Sequence, residues 1–579
     1  MDVPSNLSHT SDSLKHELRN LLVAELARHT TEPPERILTR LQQPKNPAHG
    51  DIAWPVFEFA KSQGVPPPVA AENLKKVVNL PRGFSKVEAA GPFLNFTFRR
   101  EEFVAQRLAR KVSALIPAEK KTFVVEYSSP NIAKPFHVGH LRATLTGNCL
   151  DKVLRYLGEN VISVNHLGDW GTQFGFVWAG CKIWGKPENP TVAELVEIYR
   201  KATSKRAKQE SGEDTEGPDV NELAREYFRD LEEGKDYAVE FWRWCLDISM
   251  DYFRRTYARL GVNFDHYTGE SFYSGMLEGV LNELKQAGIL VESKGALGVD
   301  LGEQLGFARV ATADGRSLYL TRDLATAKYR AETFRFDEAI YVVGAPQTLH
   351  FQQIVGIFKR LNAPFADKII HVPFGTVLGM KTRGDGEFVE LNDFLDEATE
   401  LARSAYNQAV SKRPEGVDED KVCEAVGLSA ITFSTLNRQR IKDVQFSWET
   451  AMAFSGDSGP YLLYAVARIN SIEERARESG VTPEAGSPEN YQEEEAYRLA
   501  SLLDEFIPTL RKIQSDKEPA YLCSYALELA YAFSKAYQVL RVLGEDPKLA
   551  AARLKLFVET RDTLKTALEL LGLKVVERM

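Results

Sequence analysis

The sequence predicts three parts in order: an α+β module over residues 1–115, a parallel-sheet α/β domain over 116–402 and an all-helical bundle over 403–579. Three observations carry this. Between Thr122 and Leu167 the pattern runs strand, loop, helix, strand, which is one right-handed βαβ unit. AIYVVG, Ala339 to Gly344, is a continuous apolar run suited to a strand buried on both faces of a parallel sheet. Beyond about Phe394 the periodicity is almost wholly helical.

In the first part, Leu14, Leu18, Leu21, Leu22 and Leu26 predict an opening helix, and short strands are predicted around Gly50-Asp51 and Gly91-Pro92. FLNFTF, Phe93 to Phe98, alternates like an edge or half-buried strand. A connecting helix is predicted from Phe103 to Leu115. In the second part TFVVEY, Thr122 to Tyr127, is a buried strand. The following helix shows apolar positions Leu141, Leu145, Leu150, Val153, Leu154 and Leu157 before Gly158. A largely helical insertion of about 186–295 is interrupted by the polar stretch Ser204 to Asp219, predicted to be a flexible loop because it has too little apolar surface to pack. The aromatic residues of the insertion are expected in its core. The sheet is expected to resume with ALGVDL, then AIYVVG and HVPFG (His371 to Gly375). Near the end, Leu554, Phe557, Leu564, Leu568 and Leu571 form one stripe, closed by Gly572.

A chain of 579 residues with 44% hydrophobic content can build several ordinary cores. Its net charge of −9 excludes a global basic footprint, so nucleic-acid contacts must come from local patches. Cys149, Cys181, Cys245, Cys423 and Cys523 are scattered without a CxxC pair, which predicts core residues, a reducing compartment and no structural metal. No apolar run approaches the ~18 residues of a membrane span. The mixed charges of the first residues predict a cytoplasmic protein, with a mitochondrial pool left open.

The stretch SSPNIAKPFHVGHLRATLTG, Ser128 to Gly147, joins strand to helix, where ligands of parallel sheets bind. A helix start supplies N–H groups and partial positive charge for phosphate, and His137 and His140 lie on one helical face. Gly139 would leave room for a flat base. Alone, HxGH would more often be a pair of capping or core histidines.

HVGH resembles the HIGH motif of class I aminoacyl-tRNA synthetases. Together with NHLGDWGTQFG (Asn165 to Gly175), SLYLTRDLATA (Ser317 to Ala327), GMKTR (Gly379 to Arg383), SGDSGPYLLYAVAR (Ser455 to Arg468) and the terminal VERM, the chain resembles the arginyl-tRNA synthetases over nearly its whole length. The resemblance implies a Rossmann-type (HUP-like) catalytic domain, an N-terminal domain that contacts the tRNA D-loop and a helical anticodon-binding domain. It implies arginine activation by ATP with Mg²⁺, transfer to the 2′-hydroxyl of tRNA(Arg), and a monomeric enzyme.

A guanidinium is a planar fork of donors, best met by carboxylates with flat groups fixing its plane. The resemblance points to Glu126, Asn131, His137, Tyr319, Asp323 and Gln347 for arginine. For Asp323 the competing reading is a helix cap or an ion pair with Arg322 or Lys328, and for Glu126 an ion pair with a neighbouring lysine. ATP is assigned to His137, Gly139, His140, Met380 and Lys381. Lys134 and Arg383 are the cations expected at the phosphates, with Arg383 where many relatives carry the catalytic lysine of KMSKS. For tRNA the resemblance points to Asn95, Tyr461, Tyr464, Tyr537 and Met579. A Gln and a His usual in relatives are Leu463 and Val466 here.

Two other functions compete. A P-loop hydrolase fails because Met380 intrudes between glycine and lysine in GTVLGMKT. A non-catalytic tRNA-binding relative is opposed by the intact HVGH, Glu126 and Asp323.

Overall fold

The computed structural model describes residues 13–110, 119–134, 136–188, 190–214, 216–293, 295–313, 318–379, 390–408 and 416–579. The predicted stretch 111–115 of the connecting helix, and Met380, Lys381 and Arg383, lie outside them.

The opening helix is Leu14–His29. Leu14, Leu18, Leu22 and Leu26 are buried along one face, whereas Leu21 falls off the stripe and is exposed. The helix starts at Leu14 because its first N–H groups are met from far along the chain. The Asp504 carboxylate accepts from Leu14 N at 2.8 Å and Lys15 N at 2.9 Å, and Ser13 Oγ donates to it at 2.7 Å. Behind this helix β1 (Ile52–Pro55), β2 (Phe84–Ala90) and β3 (Phe93–Phe98) form an antiparallel sheet of order β1-β3-β2. FLNFTF is therefore the central strand, not an edge. Both its neighbours supply backbone partners, and Leu94, Asn95 and Phe96 are all buried. The connecting helix begins earlier than predicted, at Arg100, and runs to Ala109.

Next come β4 (Thr122–Glu126), the helix Leu141–Tyr156, β5 (Asn160–Asn165) and the two-residue β6 (His266–Tyr267). β4 and β5 pair parallel, as the βαβ unit requires. Tyr127 is fully buried against this helix at Gly147, where a Cβ would overlap the tyrosine ring. Between β5 and β6 lie the helices Gln173–Trp184, Val192–Ser211, Val220–Glu232 and Asp236–Leu260.

The predicted flexible stretch 204–219 is largely ordered. Its first half completes Val192–Ser211, which Gly212 ends at φ 78°, and Asp219 caps the next helix. Polar contacts substitute for apolar packing: Lys205 pairs with Asp214 at 2.6 Å, and Gln209 bonds Pro218 O and Val220 N. The insertion's rings do form a core, with Trp178 stacked on Tyr227 at 5.2 Å and edge-on to Phe241 at 4.8 Å. The insertion limits of 186–295 also enclose β6, which belongs to the main sheet.

ALGVDL does not resume that sheet. It is β8 (Ala296–Asp300) of a separate antiparallel sheet with β7 (Leu290–Ser293) and β9 (Phe307–Thr312). Both strands next to it in sequence pair with it antiparallel, so hairpin pairing wins over crossover. The helix Tyr319–Phe334 follows, and β10 (Glu338–Gly344) and β11 (Ile369–Phe374) return to the parallel sheet, whose order among the described residues is β11-β10-β4-β5-β6.

β12 (Val377–Leu378) and β13 (Val444–Gln445) tie the end of this domain to the helical region. The limit at 402/403 falls within the helix Leu391–Gln408. The bundle comprises Glu419–Leu436, Gly459–Glu478, Glu494–Asp504, Phe506–Asp516, Ala520–Val539 and Pro547–Leu571. The predicted stripe on the last is buried throughout, and all five cysteines are buried.

Candidate active site

The turn after β4 carries the two histidines, and the structure gives them a capping role. Val138–His140 is a single 3₁₀ turn capped by His137. Gly139 N donates to His137 Nδ1 at 3.0 Å, and His137 N lies 3.3 Å from His140 Nδ1. The N–H groups expected to await phosphate are thus partly met by the imidazoles themselves. The acceptor role of His137 Nδ1 puts its proton on Nε2. Burial holds His137 below the ordinary histidine range, and burial with the adjacent His137 pulls His140 down to about 3. Both rings are neutral at pH 7, and each offers one N–H. Gly139 serves this pair directly: a Cβ there would come within 2.7 Å of the His137 ring, so the glycine makes room for an imidazole of the turn.

Beyond the carboxyl ends of the same strands the chain gathers acids. Glu126 ends β4, Asp169 follows β5, Glu270 follows β6, and Asp323 is the fifth residue of the helix Tyr319–Phe334. Glu126 has a partner the sequence did not offer. Its carboxylate is ion-paired to Arg330, a guanidinium with no solvent exposure, rather than to a lysine or an open site. A buried cation demands a buried counter-charge, and β4 places Glu126 beneath the inner face of the Tyr319–Phe334 helix. Asp323 is paired with neither Arg322 nor Lys328; those cations meet Glu270 and Glu283. It holds His350 Nε2 at 2.6 Å.

Glu270 was not singled out from sequence, because a two-residue strand leaves no periodicity to place it. Its carboxyl is pushed up to about 7 by burial, aided by Asp323 and Asp169 and opposed by Arg322 at 2.8 Å. Arg330 could have been found, since it lies seven residues after Asp323 on the same helix. His166 and Asp169 belong to the quoted NHLGDWG. Asp169 accepts from Ser271 N at 2.8 Å and Ser271 Oγ at 2.6 Å, and the half-buried His166 ring packs 5.7 Å from Tyr273.

Tyr319 is 58% exposed, its ring 5.6 Å from His350 and so beside Asp323. Asn131 bridges to Gly168 across the loop, with its amide where a Cβ on Gly168 would stand. Gln347 is exposed at the end of the short turn after β10. Lys134 is half-buried, three residues before His137.

The residues assigned to RNA divide. Asn95 is only 4% exposed, and with Gln42, Gln43, His49 and Phe93 it lines a hollow of about 330 Å³. Tyr461 is half-buried within the bundle, its hydroxyl 3.1 Å from Ser534 Oγ and its ring 5.3 Å from Tyr531. Tyr464 and Tyr537 are exposed, and Arg468 lies 4.1 Å above the Tyr537 ring. Met579 packs half-buried against the core, and Leu463 and Val466 are within it.

A parallel sheet with an HxGH turn beyond its first strand and acids beyond the neighbouring strands defines a class I aminoacyl-tRNA synthetase architecture. Family models agree part by part. The class I (R) tRNA synthetase catalytic domain matches residues 103–448, the DALR anticodon binding domain 462–579 and the arginyl tRNA synthetase N-terminal domain 12–98. An arginine–tRNA ligase of Clostridium perfringens is 37% identical over 97% of this chain and 100% of its own, and one of Halothermothrix orenii is 36% identical over 98% and 99%. The solved arginyl-tRNA synthetase of Thermus thermophilus superimposes with a TM-score of 0.80 at 25% identity, covering 98% of this chain and 100% of that one. The chain belongs to the arginyl-tRNA synthetase family.

Proposed function

We propose that the protein activates L-arginine with ATP and transfers the arginyl group to the 2′-hydroxyl of the terminal adenosine of tRNA(Arg), as a cytoplasmic monomer. The observation that carries this reading is an HxGH turn with neutral imidazoles directly after β4, together with acids at the end of β4, after β5 and β6 and on the helix Tyr319–Phe334. The substrate is itself a zwitterion with a cationic side chain and reacts with a polyanion, so it needs both sets of groups.

Asp323 and Glu270 receive the guanidinium, with the Tyr319 ring beside Asp323 and Gln347 at the far lip. Glu126, tied to Arg330, fixes the floor of the site. Asn131 and His137 hold the amino-acid end. The ionised arginine carboxylate attacks the α-phosphate of ATP directly; an O–P bond forms as the bond to pyrophosphate breaks, and no general base is required. Catalysis is then positioning and charge stabilisation. The N–H groups of His137 and His140 donate to the phosphate oxygens, Gly139 keeps their turn tight, and Lys134 adds a cation. Met380, Lys381 and Arg383 extend this role by family resemblance. Donors around the turn are imidazoles and amides, which suit phosphate oxygens, and Mg²⁺ carried with ATP would supply charge screening for the pyrophosphate. In the second step the 2′-hydroxyl attacks the adenylate carbonyl and AMP leaves. Asn95, Tyr464 and Tyr537 contact unpaired tRNA bases by hydrogen bonding and stacking, with Tyr461 and Met579 behind them.

The test is pyrophosphate exchange at saturating tRNA with each amino acid in turn, followed by charging. Exchange is expected with arginine alone. Exchange driven equally by lysine, or none with arginine, overturns the reading.

A further inference from the structure

The loop that leads into the histidine turn carries unusual backbone. Ser128, Ser129 and Ala133 have φ of 73°, 51° and 55°, three of the six non-glycine residues at positive φ among the described residues. Such strained backbone persists only where its surroundings over-determine it. The double reversal at Ser128 and Ser129 turns the chain so that Gly168 N donates to Pro130 O, and Ile132 N to Gly168 O, both at 3.1 Å. That pairing puts Asn131 against Gly168 and sends the chain on to His137.

One face of the helix Asp236–Leu260 does the enforcing. Ser249, Phe253 and Tyr257 recur every four residues. Ser249 Oγ accepts from Ala133 N at 3.1 Å. Phe253 and Tyr257 each meet Phe136 edge-on at 5.4 Å. The Tyr257 hydroxyl lies 2.7 Å from Ser128 Oγ and accepts from Asn165 Nδ2 at 2.9 Å. Thr144 Oγ1 continues the chain, 2.8 Å from both Ser128 Oγ and the His140 carbonyl. Tyr257, Ser128, Thr144 and Asn165 are all buried. A single phenol thus joins the end of β5, the left-handed turn and the first turn of the histidine helix.

We propose that Tyr257 is a positioning residue for arginine activation: its hydroxyl holds Ser128 in the left-handed region and thereby aims Asn131, His137 and His140. This rests on the activation chemistry proposed above. Wild-type exchange activity tests that chemistry by itself, and comparison among variants tests Tyr257.

The experiment measures pyrophosphate exchange, tRNA affinity and amide hydrogen exchange for Tyr257→Phe, Ser128→Ala, the double variant, and Tyr257→Phe with Ser128→Gly. Releasing one enforced residue should lower kcat about ten- to hundredfold in each single variant, leaving tRNA affinity intact. The double variant should be no worse than either single one, because both remove the same link. Glycine adopts positive φ without help, so Ser128→Gly should restore most of the kcat lost in Tyr257→Phe. The Ile132 and Ala133 amides should exchange faster in Tyr257→Phe. Full kcat in Tyr257→Phe, multiplicative losses in the double variant, no recovery with glycine, or unchanged amide exchange overturns the proposal.

Discussion

Glu270 should make arginine binding depend on pH in the neutral range. Its carboxyl is raised from 4.5 to about 7, first by burial and then by Asp323 and Asp169, against the pull of Arg322. With a pKa near 7, about 10% is ionised at pH 6 and about 90% at pH 8. A guanidinium is held by the ionised form, so arginine affinity measured by calorimetry without ATP should rise about tenfold from pH 6 to pH 8. Binding at pH 7 should also release about half a proton, visible as a dependence of the heat on the buffer's ionisation enthalpy. Stability has the opposite sign. A carboxyl raised on folding favours the native state while protonated, and that advantage, at most about 3 kcal/mol, is lost as pH climbs from the unfolded value through the folded one. The melting temperature of the unliganded protein should therefore fall over this range relative to Glu270→Gln, and arginine should recover it. Equal arginine affinity at pH 6 and pH 8, or a pH dependence that survives in Glu270→Gln, refutes the reasoning.

Asp323→Ala removes the partner of His350 and one carboxylate for the substrate; a loss of about 3 kcal/mol would raise the KM for arginine by ~100-fold while that for ATP changes little, measured by pyrophosphate exchange. Tyr537→Ala removes an exposed ring beneath Arg468 and should raise the KM for tRNA by about 1–3 kcal/mol equivalent, with charging of a minihelix lacking the anticodon unaffected. Gly147→Ala drives a methyl into the buried Tyr127 ring and should destabilise the fold by about 1–3 kcal/mol in chemical denaturation, with an unchanged midpoint as the contrary result.

The sequence by itself determined the βαβ unit, the place of His137 and His140 at its crevice, the buried run of β10 and the helical end, because each rests on local periodicity or on a turn read over a few residues. It also carried the family, since the motifs are contiguous. Only the tertiary structure decided partners between distant segments. FLNFTF alternates alike at an edge or in the middle of a sheet, and just the arrival of β1 on its second side made it central. ALGVDL is apolar enough for either sheet until β7 and β9 claim its hydrogen bonds. The partner of Glu126, Arg330, comes from 204 residues away, where a neighbouring lysine was the competing expectation. Glu270 and Tyr257 were silent for the same reason. A carboxyl's proton affinity and a phenol's hold on a strained turn are set by burial and by neighbours brought together on folding, and neither leaves a mark in local order.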